Sequence, residues 1–370
     1  MTARLFDPFE LAGLALPNRV VVAPMCQYSA RDGVPGDWHL MHLGSYAISG
    51  AGLVIVEATG VTPDGRITLG CTGLYDEATE AAFARILAFC RSIAPAKIGI
   101  QLGHAGRKAS TMAPWDGGGP IAGEGAWTPV APSPIPYLDG WATPRELDSA
   151  GLARIRDAFG AAAARAVRLG FDHVEVHAAH GYLLHSFLSP LSNVRGDGYG
   201  GSLANRMRFP LECFDAVRAT VPEHVPVTVR ISATDWIEGG WDLEQSVALS
   251  EALKARGCSA IHVSSGGLRQ DQKIVTGPGY QVAMCAEIRR AVGIPTIAVG
   301  QITEPIQADT IVRTGQADLV ALARGMLWDP RWVWRAAVEL GAEMALPAPY
   351  ARAHPAIRGR PFVKREATRG

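Results

Sequence analysis

The chain has no surplus of charge of either sign: 35 Lys and Arg balance 35 Asp and Glu over 370 residues, for a formal net charge of zero. Nothing therefore offers the broad basic field that would hold nucleic acid or an anionic membrane surface, and small-molecule chemistry becomes the default. Long apolar runs are missing as well. No stretch approaches the roughly 18 uninterrupted apolar residues of a membrane helix, and the opening MTARLFDPFE has no apolar h-region. A soluble, cytoplasmic protein is expected. The six cysteines (Cys26, Cys71, Cys90, Cys213, Cys258 and Cys285) contain no CxxC pair, which argues against a disulfide framework and against a zinc knuckle. Free thiols are expected. Also absent is a GxGxxG after the first β-rich run, so a doubly wound dinucleotide-binding sheet lacks its fingerprint. Charged residues make up 19% and apolar residues 48%, which excludes global disorder and leaves ample material for a core.

What is present is an alternation. Eight short β-branched runs recur: VVVAP (20–24), LVIVEA (53–58), KIGIQL (97–102), HVEVH (173–177), PVTVRI (226–231), AIHVS (260–264), PTIAVG (295–300) and DLVALA (318–323). Each reads as apolar at its centre, as for strands buried on both faces. Helix punctuation lies between them. Asp148 and Ser149 can cap a run whose Leu152, Ile155, Phe159 and Ala166 share one face, with Gly170 after it. Asp242 with Gln245 resembles a capping box that opens a helix ending at Gly257, and Pro305 follows Thr303 and Glu304 in a helix stopped by Gly315. Eight βα units predict an α/β protein whose single domain, 1–370, is a (β/α)8 TIM barrel. Such a barrel needs roughly 250 residues. The excess falls in two places. The 41 residues of 105–145 hold seven Gly and seven Pro and are expected to form a capping insertion after strand 3. The other is a C-terminal arm over 342–370.

Barrel chemistry sits at strand C-terminal ends, so the residues closing each run form one list. Cys26 and Tyr28 follow the first strand and Ala58 the second; Gln101 and His104 lie on the third; His177, His180 and Tyr182 follow the fourth. Arg230 ends the fifth, Ser265 to Gly267 follow the sixth, Gly300 closes the seventh, and Arg324 with Gly325 the eighth. A buried Arg230 needs an anionic partner; Glu57 and Asp235 are protein candidates and a ligand is the other. His177 and His180 form an HxxH pair that could ligate zinc in a metal-dependent hydrolase or aldolase, although no carboxylate triad lies nearby. Arg324 stands where barrels bind phosphate after strands seven and eight. Cys26 alone could be an inert buried hydrophobe, and Gln101 a satisfied core amide. Trp328, Trp332 and Trp334 read as core or a subunit contact.

The segments APMCQYSA, QLGHAGRK, VEVHAAHGYLLHSFLSPLSNVRGDGYGGSLANR, VGQI and ALARGML resemble the Old Yellow Enzyme flavoprotein reductases, over nearly the whole chain. Cys26 with Tyr28, and His180 where other branches carry Asn, resemble the thermophilic-like branch that includes xenobiotic reductases. The resemblance implies FMN bound by Ala23, Pro24, Met25, Cys26, Ala58, Gln101, Arg230, Gly300, Ala323 and Arg324, with no metal. Gln101 would meet the flavin pyrimidine edge and Arg230 the negative N1 and O2 region of reduced flavin. NADPH or NADH would reduce the flavin and leave, and an activated alkene would take its place in a ping-pong cycle. His177 and His180 would hold the substrate oxygen, Tyr182 would supply the proton, and Tyr28 and Cys26 would contact substrate. The resemblance also implies a homodimer or homotetramer whose arm reaches a neighbour's site, with Tyr350, Arg352, Arg358 and Arg360 as candidates.

Overall fold

In the computed structural model, which describes residues 4–355, all eight runs are strands of one barrel. They are β1 (Val20–Val22), β2 (Leu53–Gly60), β3 (Ile98–Gly103), β4 (His173–Ala178), β5 (Val227–Ser232), β6 (Ala260–Ser264), β7 (Thr296–Ala298) and β8 (Leu319–Leu322). Each pairs in parallel with the next, and β8 closes on β1 through Val320 beside Val20. A helix follows each strand: α1 (Asp37–Ala47), α2 (Glu77–Ile93), α3 (Ser149–Leu169), α4 (Leu203–Thr220), α5 (Leu243–Lys254), α6 (Val282–Val292), α7 (Pro305–Arg313) and α8 (Trp332–Leu340). No helix among the described residues is long and apolar enough to cross a membrane.

The expectation of continuously apolar strands needs correction for half the barrel. In β3 to β6 apolar residues alternate with Gly99, Gln101, His173, Glu175, His177, Thr228, Arg230, His262 and Ser264. Outward positions such as Val174, Val176, Val229 and Ile261 join the core shared with the helices. The polar set points into the barrel, because Glu175 on β4 reaches His262 on the non-adjacent β6. Polar residues belong there because they bond one another across the lumen.

The lower lumen is apolar, with Val21, Leu53, Ile55, Ile297 and Leu319 in one cluster. That cluster also takes Leu11, Leu14 and Leu16 from a hairpin of Phe9–Leu11 against Leu14–Leu16, which closes the bottom of the barrel. Chemistry is thereby confined to the opposite, C-terminal end.

The capping signals act locally. Asp148 accepts the Gly151 N–H at 2.7 Å, and Gly170 ends α3 in the left-handed region. Only half of the Asp242 box forms: Asp242 accepts from the Gln245 backbone, but the Gln245 side chain turns to the Gly240 carbonyl and Arg206. The helix also stops at Lys254, short of Gly257. Of the tryptophans, Trp332 is buried and Trp328 is 91% exposed. Phe159 of α3 is fully buried; Phe159→Ala is expected to cost about 3–5 kcal/mol, seen as a lower Tm in a thermal melt with the far-UV circular dichroism at 25 °C unchanged.

Candidate active site

Glu175 organises the middle of the lumen. Its Oε1 accepts from Gln101 Nε2 at 2.8 Å, its Oε2 lies 2.9 Å from His262 Nδ1, and the Thr228 hydroxyl donates at 3.3 Å. Burial works to raise this carboxyl, but His262, Arg230 and His173 outweigh it and hold Glu175 at about 2. One N–H of Gln101 is therefore engaged inside the protein, leaving its other N–H and its carbonyl.

One residue further along the inward face, His177 and Arg230 are register partners on β4 and β5. Arg230 is buried, and its Nε has no partner among the described residues. Neither protein candidate serves it. Glu57 faces His39 Nε2 at 3.2 Å and accepts the Gln27 N–H; Asp235 faces His185 Nε2 at 2.9 Å and accepts from Ser189 and the Trp241 N–H. A buried guanidinium with spare donors calls for an anionic ligand.

Space for one adjoins it. Arg230, Gly300, Ala323 and Arg324 line a single cavity of about 820 Å³, within the size range of cofactor sites (roughly 300–1,000 Å³). Gly300 has φ +125°, and a Cβ there would lie 2.7 Å from Gln281 Nε2. Only glycine fits against Gln281 there, and Gly300 lines the cavity with its backbone alone. Arg324 is exposed at the start of the short helix Arg324–Trp328. Arg324 and Gly300 at the last two βα junctions fit the phosphate of FMN, and Arg230 on β5 its electron-rich ring edge.

The loop after β1 supplies the neighbouring wall. Ala23 is anchored by its N–H to the Leu322 carbonyl, and Pro24 to Ser29 are half-buried. Glu57, at an irregularity in the β2–β3 pairing that leaves Ala58 beside Gln101, holds the loop through the Gln27 N–H. The Cys26 thiol is pushed up by its neighbour Cys71 and by burial, so it stays protonated. Burial also raises the Tyr28 phenol; its ring meets Trp115 of the 105–145 segment edge-on, with centroids 5.6 Å apart.

On the other side stand His177, His180 and Tyr182. The His177 ring lies edge-on to both others, at 5.2 Å from His180 and 5.0 Å from Tyr182. His177 Nδ1 accepts the Ala179 N–H, which leaves Nε2 to carry the proton. Burial, reinforced by Arg230, holds both imidazoles well below their usual range, so both are neutral. Burial, with Cys26 and Tyr28 nearby, raises the Tyr182 phenol well above its usual range. The turn carrying these groups is pinned underneath: His180 N–H donates to Ser232, Gly181 N–H donates to His185 Nδ1, and His185 rests on Asp235.

Ala58, His177 and Tyr182 line one cleft, and Cys26 and Tyr28 lie close enough to influence Tyr182. Ala58, His177 and Tyr182 thus share one cleft and Arg230, Gly300, Ala323 and Arg324 the neighbouring cavity, joined where His177 pairs in register with Arg230. Ala23 and Met25 line a separate small cavity beside His39 and Tyr46. The arm does not join them: Tyr350 packs on Trp334 at 5.5 Å, and Arg352 is exposed. Arg358 and Arg360 lie outside the described residues. As for a metal, the described residues contain no group of three His, Cys, Asp or Glu able to hold one, and His180 Nε2 lies 2.7 Å from the Ser264 hydroxyl. Sequence reading overlooked Glu175, His262, His185 and Lys108. For Glu175 and His262 the available signal was a polar residue at every second position of β4 to β6; Lys108 and His185 lie outside the strands and carried no such signal.

A parallel barrel with a polar mouth and an anion-ready rim defines a cofactor-dependent barrel enzyme. Comparison with known proteins makes this specific. Residues 4–343 match the NADH:flavin oxidoreductase / NADH oxidase family, and the chain belongs to it. It is 42% identical over 354 residues to the NADPH dehydrogenase of Geobacillus thermodenitrificans, covering 95% of this chain and 99% of that one. A solved structure of morphinone reductase in complex with tetrahydroNAD is 30% identical, with a TM-score of 0.75 over 93% of each chain. A 2-naphthoyl-CoA reductase superposes with a TM-score of 0.82 at 24% identity; this chain spans 53% of it, and that likeness shows the fold alone. The protein is an FMN-dependent, NAD(P)H-linked flavin oxidoreductase of the Old Yellow Enzyme type.

Proposed function

We propose that the protein is an ene-reductase acting on the C=C bond of α,β-unsaturated carbonyl or nitro compounds. FMN, when bound, takes two electrons from the nicotinamide and supplies them to the alkene as hydride. The protein's own groups do the rest. His177 donates through Nε2 to the substrate oxygen. We assign the proton of His180 to Nδ1, as a second donor to the substrate oxygen, with the Ser264 hydroxyl 2.7 Å away donating to Nε2. Two neutral N–H donors withdraw charge from the alkene and hold the enolate-like oxygen that develops when hydride reaches the β-carbon. Tyr182 gives its phenolic proton to the α-carbon, for net trans addition. Tyr28 adds a contact to the substrate oxygen, and Cys26, as a thiol, tunes the flavin and touches substrate.

The observation that carries this reading is the set of two neutral imidazoles and a protonated phenol around one ring-contact triad, beside a buried arginine whose Nε has no partner among the described residues. A structural neighbour that reduces morphinone and binds tetrahydroNAD supports a small organic acceptor and a nicotinamide donor here. We further read the protein as a cytoplasmic homodimer or homotetramer whose C-terminal arm approaches a neighbour's mouth, with Tyr350 or Arg352 as contacts. His177→Ala is expected to weaken para-hydroxybenzaldehyde and enone binding by about tenfold or more, the worth of a buried hydrogen-bond donor, while FMN stays bound. Loss of flavin instead would misplace the histidine. Steady-state kinetics with NADPH and 2-cyclohexenone should give parallel lines; intersecting lines would contradict a shared site.

A further inference from the structure

Lys108 stands just beyond β3 at the root of the 105–145 segment, and no acidic side chain is within ion-pair distance of it among the described residues. Its Nζ donates to the His180 carbonyl at 2.8 Å and to the Gly267 carbonyl at 3.0 Å. The same nitrogen lies over two tyrosine rings, 4.6 Å from the Tyr137 centroid and 5.0 Å from that of Tyr182. Three ammonium donors are thus surrounded by carbonyls and aromatic faces, which is a cation's environment without a counter-ion.

The two carbonyls belong to turns that touch backbone to backbone. A Cβ on Gly181 would lie 2.3 Å from the Gly267 oxygen, and one on Gly267 2.6 Å from His180 Cα. Lys108 therefore ties the turn that carries His180 and Tyr182 to the loop after β6. Its charge faces the ring that has to become anionic.

We infer that Lys108 is a positioning residue for proton delivery, its ammonium favouring the phenolate left when Tyr182 gives up its proton. The inference rests on the reading of Tyr182 as donor. In that step the Tyr182 O–H bond breaks and its electron pair stays on the phenolic oxygen. The enolate's pair forms the new C–H bond at the α-carbon, and solvent later returns a proton to the phenolate. Burial makes this phenol a reluctant acid, and a positive charge held close in a water-poor site offsets that reluctance.

The groups facing Lys108 leave it to change charge around neutrality. Arg107, its neighbour in sequence, is pulled down to about 10; His177 and His180 lie well below their usual range; Tyr137 and Tyr182 are raised. Burial, with Arg107 beside it, brings Lys108 to about 7. The ammonium is present below that pH and lost above it, so alkene-driven reoxidation slows as pH rises through about 7.

The test uses the holoenzyme in anaerobic stopped flow. In Lys108→Met, reoxidation by 2-cyclohexenone is expected to fall about tenfold or more and to lose its pH step near 7, with reduction by NADPH changed far less. On the wild-type holoenzyme, 13Cε-lysine NMR resolves the chain's five lysines; the signal that disappears in Lys108→Met should titrate at about 7. Unchanged reoxidation, an equal fall in both half-reactions, or titration of that signal near the ordinary lysine value would overturn the inference. Tyr182→Phe separates the two levels. If it leaves reoxidation fast, the donor reading itself fails; if it slows reoxidation while Lys108→Met does not, only the role of Lys108 fails.

Discussion

Arg230→Met is expected to weaken FMN binding by about thirtyfold or more, since removing one member of a buried charge pair costs about 2–5 kcal/mol. The melting temperature of the apoprotein should stay level or rise. The asymmetry follows from where Arg230 sits. It is buried on β5, its Nε has no partner among the described residues, and Glu57 and Asp235 are held by His39 and His185. A guanidinium in that state is a burden on the apoprotein, and a neutral side chain of similar length removes it. Glu175 would keep His262, Gln101 and Thr228, so the lumen is not left with a stranded anion. Flavin fluorescence during titration of the apoprotein gives the affinity, and a thermal melt gives the stability. A variant that binds FMN as tightly as the parent would show that Arg230 serves some other group.

Tyr182→Phe should slow reoxidation of the reduced enzyme by 2-cyclohexenone by about 10²–10⁴-fold, the usual worth of a positioned general acid. Reduction by NADPH should change by no more than a few-fold, because that half-reaction needs no proton from a phenol. The ring stays in place in the variant, since its contacts are with the His177 edge and the Lys108 ammonium rather than through the hydroxyl. Stopped-flow absorbance separates the two half-reactions. Equal loss in both would mean that the mutation disturbs the mouth as a whole and that the proton comes from elsewhere.

The barrel was legible because eight short apolar runs alternate with segments of helical punctuation, and because Asp148, Gly170 and Pro305 mark helix ends by local chemistry. The hairpin at Phe9–Leu11 and Leu14–Leu16 escaped notice: two three-residue strands carry too little pattern, and their role as a plug depends on Leu53 and Ile297, far away in sequence. Reading every strand as apolar was wrong for β3 to β6 for a related reason. His173, Glu175 and Thr228 bond to one another and, through Glu175, to Gln101 on β3 and to His262, which lies 87 residues beyond Glu175. Strand-end residues could be gathered into one mouth because barrel topology places them there, whatever their separation. Their electrostatics could not be foreseen. That Glu57 and Asp235 are engaged by His39 and His185, that one Gln101 N–H is taken by Glu175, and that Lys108 reaches Tyr182 are properties of side-chain paths across loops.

The most direct measurement is an anaerobic absorbance series on the protein as purified. Reading the chain as a flavin ene-reductase requires a yellow protein that NADPH bleaches and that 2-cyclohexenone, added without oxygen, turns yellow again. A protein bleached by NADPH whose colour returns only on admitting air would contradict alkene reduction, and a colourless protein would contradict the flavin site itself.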